Sequence, residues 1–283
     1  MSDLRDELQA SLAGRYTLER ELGGGGMSRV FVASEAPSGR RVVLKVLPPD
    51  LAAGVSLERF EREIRLAARL RHPHIVPLLS TGEAAGLPFY TMPFVEGESL
   101  RDCLRREVQL PVEETVRIAG EVALALQHAH GHDIVHRDIK PENVLLHEGH
   151  AVVADFGIGR AITRASDIDP ITLAGMAVGT PQYMSPEQAA GERDIDGRSD
   201  IYSLGCVLYE MLAGEPPFTG RTAQAVIAKR FAGKVPSLRV VRPDVPLELE
   251  CAVLRALELS PEARFASGAQ FADAIAVRVV AFP

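Results

Sequence analysis

A change of pattern near Gly97 constrains this chain more than any other feature. Before it, short apolar runs broken by turn residues read as strands; after it, long Ala- and Leu-rich stretches read as helices. Tyr16–Leu22, Val30–Ser34 and Arg41–Leu47 form three short strands, punctuated by Gly23–Gly26 and by Pro37-Ser38-Gly39. Ser56–Leu70 carries Leu57, Phe60, Ile64, Ala67 and Ala68 on one face of an amphipathic helix. Two further strand-like runs follow, Ile75–Ser80 and Phe89–Phe94. Beyond Gly97, Val112–His130 and Ser199–Leu212 are mostly apolar helices, buried by composition. Leu4, Leu8 and Leu12 mark a weak helix ahead of the main fold. The expected class is α+β: a small antiparallel-sheet lobe followed by a larger, mainly helical lobe, with a ligand cleft near residue 95.

Length and charge narrow the function classes. A chain of 283 residues suits two lobes better than one minimal core. With 31 basic against 38 acidic residues and a net charge of −7, it lacks the excess of Lys and Arg that nucleic-acid or membrane-surface binding needs. Cys103, Cys206 and Cys251 are too few and too scattered for a disulfide framework or a CxxC metal site. The polar, acidic start MSDLRDELQASLAGRY lacks the basic and apolar regions of a signal peptide. The most apolar stretch, Ile201–Leu212, is interrupted by Ser203 and Glu210 and is too short to span a bilayer. A cytoplasmic location is expected, for a soluble enzyme or for the cytosolic part of a longer membrane-anchored receptor.

Four segments carry chemistry. Leu22-Gly-Gly-Gly-Gly-Met-Ser-Arg-Val30 lies between two strands, where residues without Cβ let backbone N–H groups approach phosphate oxygens. Lys45 ends an apolar strand, and an ammonium there needs a partner such as Glu63 on the next helix. His136-Arg-Asp-Ile-Lys-Pro-Glu-Asn143 groups a carboxylate, an ammonium and an amide within eight residues. Asp155-Phe-Gly157 follows seventeen residues after Asp138, beyond an intervening strand.

In this order, over roughly residues 15–280, these segments resemble the eukaryotic-type protein kinase superfamily, most of all the bacterial Ser/Thr kinases. The resemblance implies residues 1–14 as an N-terminal extension, 15–97 as the N-lobe and 98–283 as the C-lobe. It implies transfer of the γ-phosphate of ATP, with Mg²⁺ (or Mn²⁺), to Ser or Thr hydroxyls of proteins. Asp138 becomes the base that accepts the hydroxyl proton. Lys140 neutralises charge on the transferring phosphate, and Asn143 and Asp155 supply oxygen ligands to the metal. Lys45 holds the α- and β-phosphates and Glu63 orients it; Thr180 bridges Asp138 and Lys140. The nucleotide site further takes Leu22, Gly23, Gly24, Gly25, Gly26, Met27, Ser28, Val30 and Val43 from the first strands. Met92, Pro93 and Val95 come from the hinge, and Leu145 closes the pocket from below. Ser28 stands where the family carries its third glycine, and Ser185 replaces the Ala of the Ala-Pro-Glu motif. A Glu187–Arg264 pair and a brace from Asp200 to the catalytic loop are implied as structural.

Arg137, just before the base, implies activation by an anion. Thr172 is the foremost autophosphorylation site, ahead of Thr163 and Ser166, reached through a transient homodimer. His128, His130, His132 and His136 straddle a helix end at spacings that splay their rings, which disfavours a zinc site. The rival readings are a pseudokinase scaffold that binds without transfer, and a small-molecule kinase of similar fold.

Overall fold

The computed structural model describes residues 4–25, 28–52, 56–156, 181–192 and 194–276. They fall into two compact units. One holds residues 4–71 and 76–96, the other 72–75, 97–156 and the described residues from 181 onward.

The first unit is a five-stranded antiparallel sheet of order β1-β2-β3-β5-β4, made of β1 (Tyr16–Gly25), β2 (Ser28–Glu35), β3 (Arg40–Val46), β4 (Ser80–Ala84) and β5 (Leu87–Pro93). Helices α1 (Leu4–Leu12), α2 (Pro49–Ala52) and α3 (Leu57–Ala67) complete it. In β3 the hydrophobic residues Val42, Val43, Leu44 and Val46 are buried while Lys45 stays partly accessible. The core joins Leu8 and Leu12 of α1 to Tyr16, Phe31, Leu44 and Phe89. Thus α1 is built into the sheet's hydrophobic core. Gln9 fixes its attitude: its Oε1 accepts from the Leu18 N–H at 2.7 Å and its Nε2 donates to the Tyr16 carbonyl at 3.1 Å.

One strand lies elsewhere than the sequence pattern suggested. Ile75–Ser80 is not a strand: Ile75 makes a single bridge to Val153, and pairing with β5 runs over Ser80–Ala84. Val76 and Leu78 are buried at 3% and 5% exposure, so the apolar run reports core burial rather than strand pleat. Pro77, lacking an N–H, cannot join a ladder.

The second unit is mainly helical: α4 (Leu100–Glu107), α5 (Val112–His130), α6 (Pro186–Ala189), α7 (Gly197–Ala213), α8 (Ala223–Ala232), α9 (Leu238–Val241), α10 (Leu247–Ala256) and α11 (Gly268–Ile275). A small sheet, β6 (Glu98–Ser99), β7 (Val144–His147) and β8 (His150–Val153), lies between the loop that holds Asp138, Lys140 and Asn143 and the segment that holds Asp155. Helix α5 has the limits its sequence indicates, with Glu113 and Glu114 in the first turn and His128 and His130 in the last. Every residue of α7 from Ser199 to Ala213 is buried, so Ser203 and Glu210 must find partners inside the protein.

Candidate active site

In the first unit, antiparallel pairing groups the expected nucleotide-side residues. Val30 lies opposite Lys45 across β2 and β3; Val43 lies opposite Met92 and Val42 opposite Pro93 across β3 and β5. Gly23, Gly24 and Gly25 belong to β1, paired with Val30, Arg29 and Ser28. Leu22 is exposed, Val43 and Met92 are buried, and Pro93 and Val95 are partly accessible. Glu63 is buried on α3, 4% exposed, with Arg62 at 3.5 Å. Gly26, Met27, Gly157, Thr163, Ser166, Thr172, Gly179 and Thr180 lie outside the described residues.

The second unit builds its site on the β7–β8 hairpin and the loop before it. Val144 pairs with Val153, and the Ala154 N–H donates to the Asn143 carbonyl at 2.9 Å. Asn143 and Asp155 therefore flank the same open end of the hairpin. Asp138 is drawn to this end by its neighbours. Lys140 Nζ lies 2.7 Å from Asp138 Oδ2, and Asn143 Nδ2 donates to the same oxygen at 3.1 Å and to the Asp138 carbonyl at 2.8 Å. Oδ1 of Asp138 makes no hydrogen bond among the described residues. Leu145, in β7, is partly accessible.

Buried groups far away in sequence hold this loop in shape. Asp200, fully buried in α7, accepts from the backbone N–H groups of His136 and Arg137 and from His130 Nε2, each at 2.8 Å. Its carboxyl stays below the usual range: burial alone would raise it, but the His130 hydrogen bond, the nearby His136 and the Arg137 N–H outweigh that. His136 is the Nε2–H tautomer, donating to the Ala154 carbonyl at 2.8 Å and accepting the Asp138 N–H at Nδ1. Arg137 sits at φ +69°, a left-handed conformation held by Asp200 on its N–H and Gln188 on its carbonyl. Gly197 leaves room for this arrangement, since a Cβ there would lie 2.5 Å from His130 Nδ1.

The pair Glu187–Arg264 is bidentate at 2.7 and 2.8 Å and buried on both sides. Ser185, in place of the family's Ala, caps α6 through Gln188 and bonds Ser199 Oγ at 2.8 Å. Sequence reasoning missed His130, Gln188 and a cluster around Arg101. The one signal was Glu210, a carboxylate inside an otherwise apolar helix.

The donor set fits a divalent metal. Asn143 spends its amide N–H groups on Asp138, so its carbonyl oxygen is the atom it would offer a metal, with the Asp155 carboxylate as the second oxygen ligand. Among the described residues no group of three His, Cys, Asp or Glu side chains is placed to hold a metal by itself. Two hard oxygen ligands suit an ion that keeps water or phosphate oxygens as its remaining ligands.

An antiparallel-sheet unit followed by a mainly helical unit whose loop gathers Asp138, Lys140 and Asn143 is the architecture of the protein kinase fold. The chain belongs to the protein kinase family: the family model described as "Protein kinase domain" matches residues 16–264. It is 43% identical over 274 residues to the serine/threonine-protein kinase PknB of Mycolicibacterium smegmatis, covering 94% of this chain and 43% of that protein. It is 42% identical over 275 residues to PknB of Mycobacterium leprae, with the same coverage. To the serine/threonine-protein kinase PknH of Mycobacterium bovis it is 37% identical over 274 residues, covering 96% of this chain and 45% of that one. The chain thus spans less than half the length of these relatives. Use of ATP and a divalent metal is general to the family. No helix among the described residues is long and apolar enough to cross a membrane.

Proposed function

We propose that this chain is a catalytic domain, over about residues 15–280, that transfers the γ-phosphate of ATP to Ser or Thr hydroxyls of proteins. The observation that carries it is the Asp138 carboxylate, braced on Oδ2 by Lys140 and Asn143, with no hydrogen bond to Oδ1 among the described residues. Asp138 takes the hydroxyl proton as the oxygen attacks phosphorus, and the bond from the γ-phosphorus to the bridging oxygen of ADP breaks. Lys140, two residues away, offsets charge on the moving phosphoryl group. Lys45 grips the α- and β-phosphates, Glu63 orients it, and Thr180 bridges Asp138 and Lys140. Asn143 and Asp155 would hold Mg²⁺, with Mn²⁺ as a substitute, and the ion would supply screening of the phosphate charge. Leu22, Gly23–Gly26, Met27, Ser28, Val30, Val43, Met92, Pro93, Val95 and Leu145 enclose the nucleotide.

Serine/threonine specificity is supported by the names of the relatives and by Lys140 two residues past the base. Activation by phosphorylation of Thr172 in a transient homodimer fits Arg137 next to that base. A cytosolic setting, alone or as part of a membrane-anchored receptor, fits the greater length of the relatives. Nothing favours the scaffold alternative. The test is incubation with labelled ATP and Mg²⁺, comparing wild type with Asp138→Asn. Loss of the base is expected to lower transfer on the order of 10²–10⁴-fold. Equal labelling overturns the assignment, and phosphoamino-acid analysis separates Ser/Thr from Tyr.

A further inference from the structure

Five of the eight histidines of the chain form a row in the second unit. His132 meets His128 with ring centroids 4.6 Å apart, and His128 stacks on His72 at 5.2 Å and an interplanar angle of 29°. His72 meets His74 at 5.5 Å, and His74 meets His150 at 6.2 Å. His128 lies in the last turn of α5, and His132 follows four residues later, so the two rings come together. His72 and His74 belong to the short segment 72–75, and His150 opens β8.

Residues 72–75 join α3 to β4 in the chain yet pack with the second unit. The Val153 N–H donates to the His74 carbonyl at 2.9 Å, His74 Nδ1–H donates to the Ala151 carbonyl at 2.8 Å, and Ile75 bridges to Val153. His72 shapes the segment by accepting the His74 N–H at Nδ1, 3.2 Å away. The neutral His72 ring therefore carries its hydrogen on Nε2, and a second proton has only Nδ1 to go to. There it would face the His74 N–H, donor against donor. Charging His128 is costly for a related reason: its Nε2 is buried without a partner, and a proton on it would be a buried donor with no acceptor.

The surroundings offer the middle of the row little negative charge. Burial, His128 and His74, in that order, hold His72 below its ordinary value of 6.5. Glu121 sits at the far end, where it pairs with His150 Nδ1 at 2.8 Å, accepts the Ala151 N–H at 2.6 Å and meets Arg117 at 3.3 Å. His147 lies opposite His150 across β7 and β8. Asp200 of α7 is bound to His130, and α11 meets α5 through the Gln127 amide. Arg71 precedes His72, and Asp133 follows His132.

We propose that this row is a proton-operated latch: with neutral rings it fixes residues 72–75 on β8 and α5, and charging of His72 and His128 as the pH falls releases that segment. The latch is independent of the phosphate-transfer reading above. The folded His72 lies below its unfolded value, so its stabilising share is full above 6.5 and is lost as pH falls from there through the lowered value. Two unit charges about 5 Å apart in water oppose each other by a factor of about four in an equilibrium. With His128 and His74 both beside His72, a loss of about tenfold is expected.

The test is amide hydrogen exchange of the whole chain in EDTA buffer at about pH 7.5 and about pH 5.5, corrected for intrinsic rates. The Val153 amide, bonded to the His74 carbonyl, reports the latch, and the buried amides of α7 report global unfolding. In wild type, acid should cost Val153 about tenfold more protection than α7. His72→Asn keeps an acceptor for the His74 N–H, as in an Asx-turn, and cannot be charged; the excess loss should shrink to about threefold or less. Equal losses at Val153 and α7 in wild type, or an excess that His72→Asn leaves unchanged, overturn the latch. If His72→Asn fails to fold, His128→Phe carries the comparison with the same expected and refuting results, since it keeps a ring against His72 without the charge. Ring resonances give a second readout: His72 should titrate over a wider pH range than a single site, because its neighbours charge in turn. A single-site curve for His72 overturns the coupling on which the latch depends.

Discussion

Replacing Asp200 by Asn removes one charge and almost no volume, which isolates the electrostatic part of the catalytic-loop brace. In the native protein Oδ2 accepts from the His136 N–H and His130 Nε2, and Oδ1 from the Arg137 N–H. An Asn carbonyl placed at Oδ2 keeps two acceptor contacts but turns an NH₂ group toward the Arg137 N–H, donor against donor. The lost bond to a charged acceptor is worth about 1.5–3 kcal/mol, and the buried donor left unpaired adds about 1–3 kcal/mol. Relaxation returns part of this, so a loss of about 3 kcal/mol is expected, a large share of a total stability of roughly 5–15 kcal/mol. The chain has no Trp, so urea unfolding is followed by far-UV circular dichroism. A loss below about 1 kcal/mol would refute the reasoning.

The pH dependence gives an independent check. The Asp200 carboxyl is held below its ordinary value of 3.8, so its contribution is present above that value and is lost as pH falls through the depressed one. The gap between wild type and Asp200→Asn should stay constant from about pH 8 to about pH 5 and close only below about pH 4. A gap already closed at about pH 6 would mean that another group carries it. Activity should fall along with stability, because Arg137 keeps its left-handed backbone only while both its N–H and its carbonyl are held.

Other perturbations test separate parts of the fold. Arg264→Met leaves the Glu187 charge buried and should cost about 3–5 kcal/mol by urea unfolding, with Glu187→Gln added in the same chain recovering part of it. Leu8→Ala, at a fully buried position, should cost about 2–4 kcal/mol; an unchanged Tm would separate α1 from the sheet core. Gly197→Ala should cost about 1–3 kcal/mol and displace His130, seen as a shifted imidazole resonance, since the new methyl meets that ring at 2.5 Å.

Much of the site is legible because its chemistry is local. Asp138, Lys140 and Asn143 lie within six residues, so chain geometry alone brings them together, and a hairpin of a few residues brings Asp155 to the same end. Helix α5 was readable to the residue because a 19-residue apolar pattern is long enough to fix its period. The stretch Ile75–Ser80 misled because burial and strand pleat give the same short apolar run, and only the pairing partner separates them.

The amino-acid order by itself determined the family, the loop that groups Asp138, Lys140 and Asn143, and the type of most elements, since motif spacing and hydrophobic period act over a few residues. The tertiary structure alone decided where α1 packs, how Gln188 and His130 complete the loop brace, and which cation answers Glu210. Those contacts join residues tens of positions apart, and burial is what forces each to be made. A carboxylate in water needs no partner; inside α7, Glu210 does, and only the folded chain could say that Arg101 supplies it.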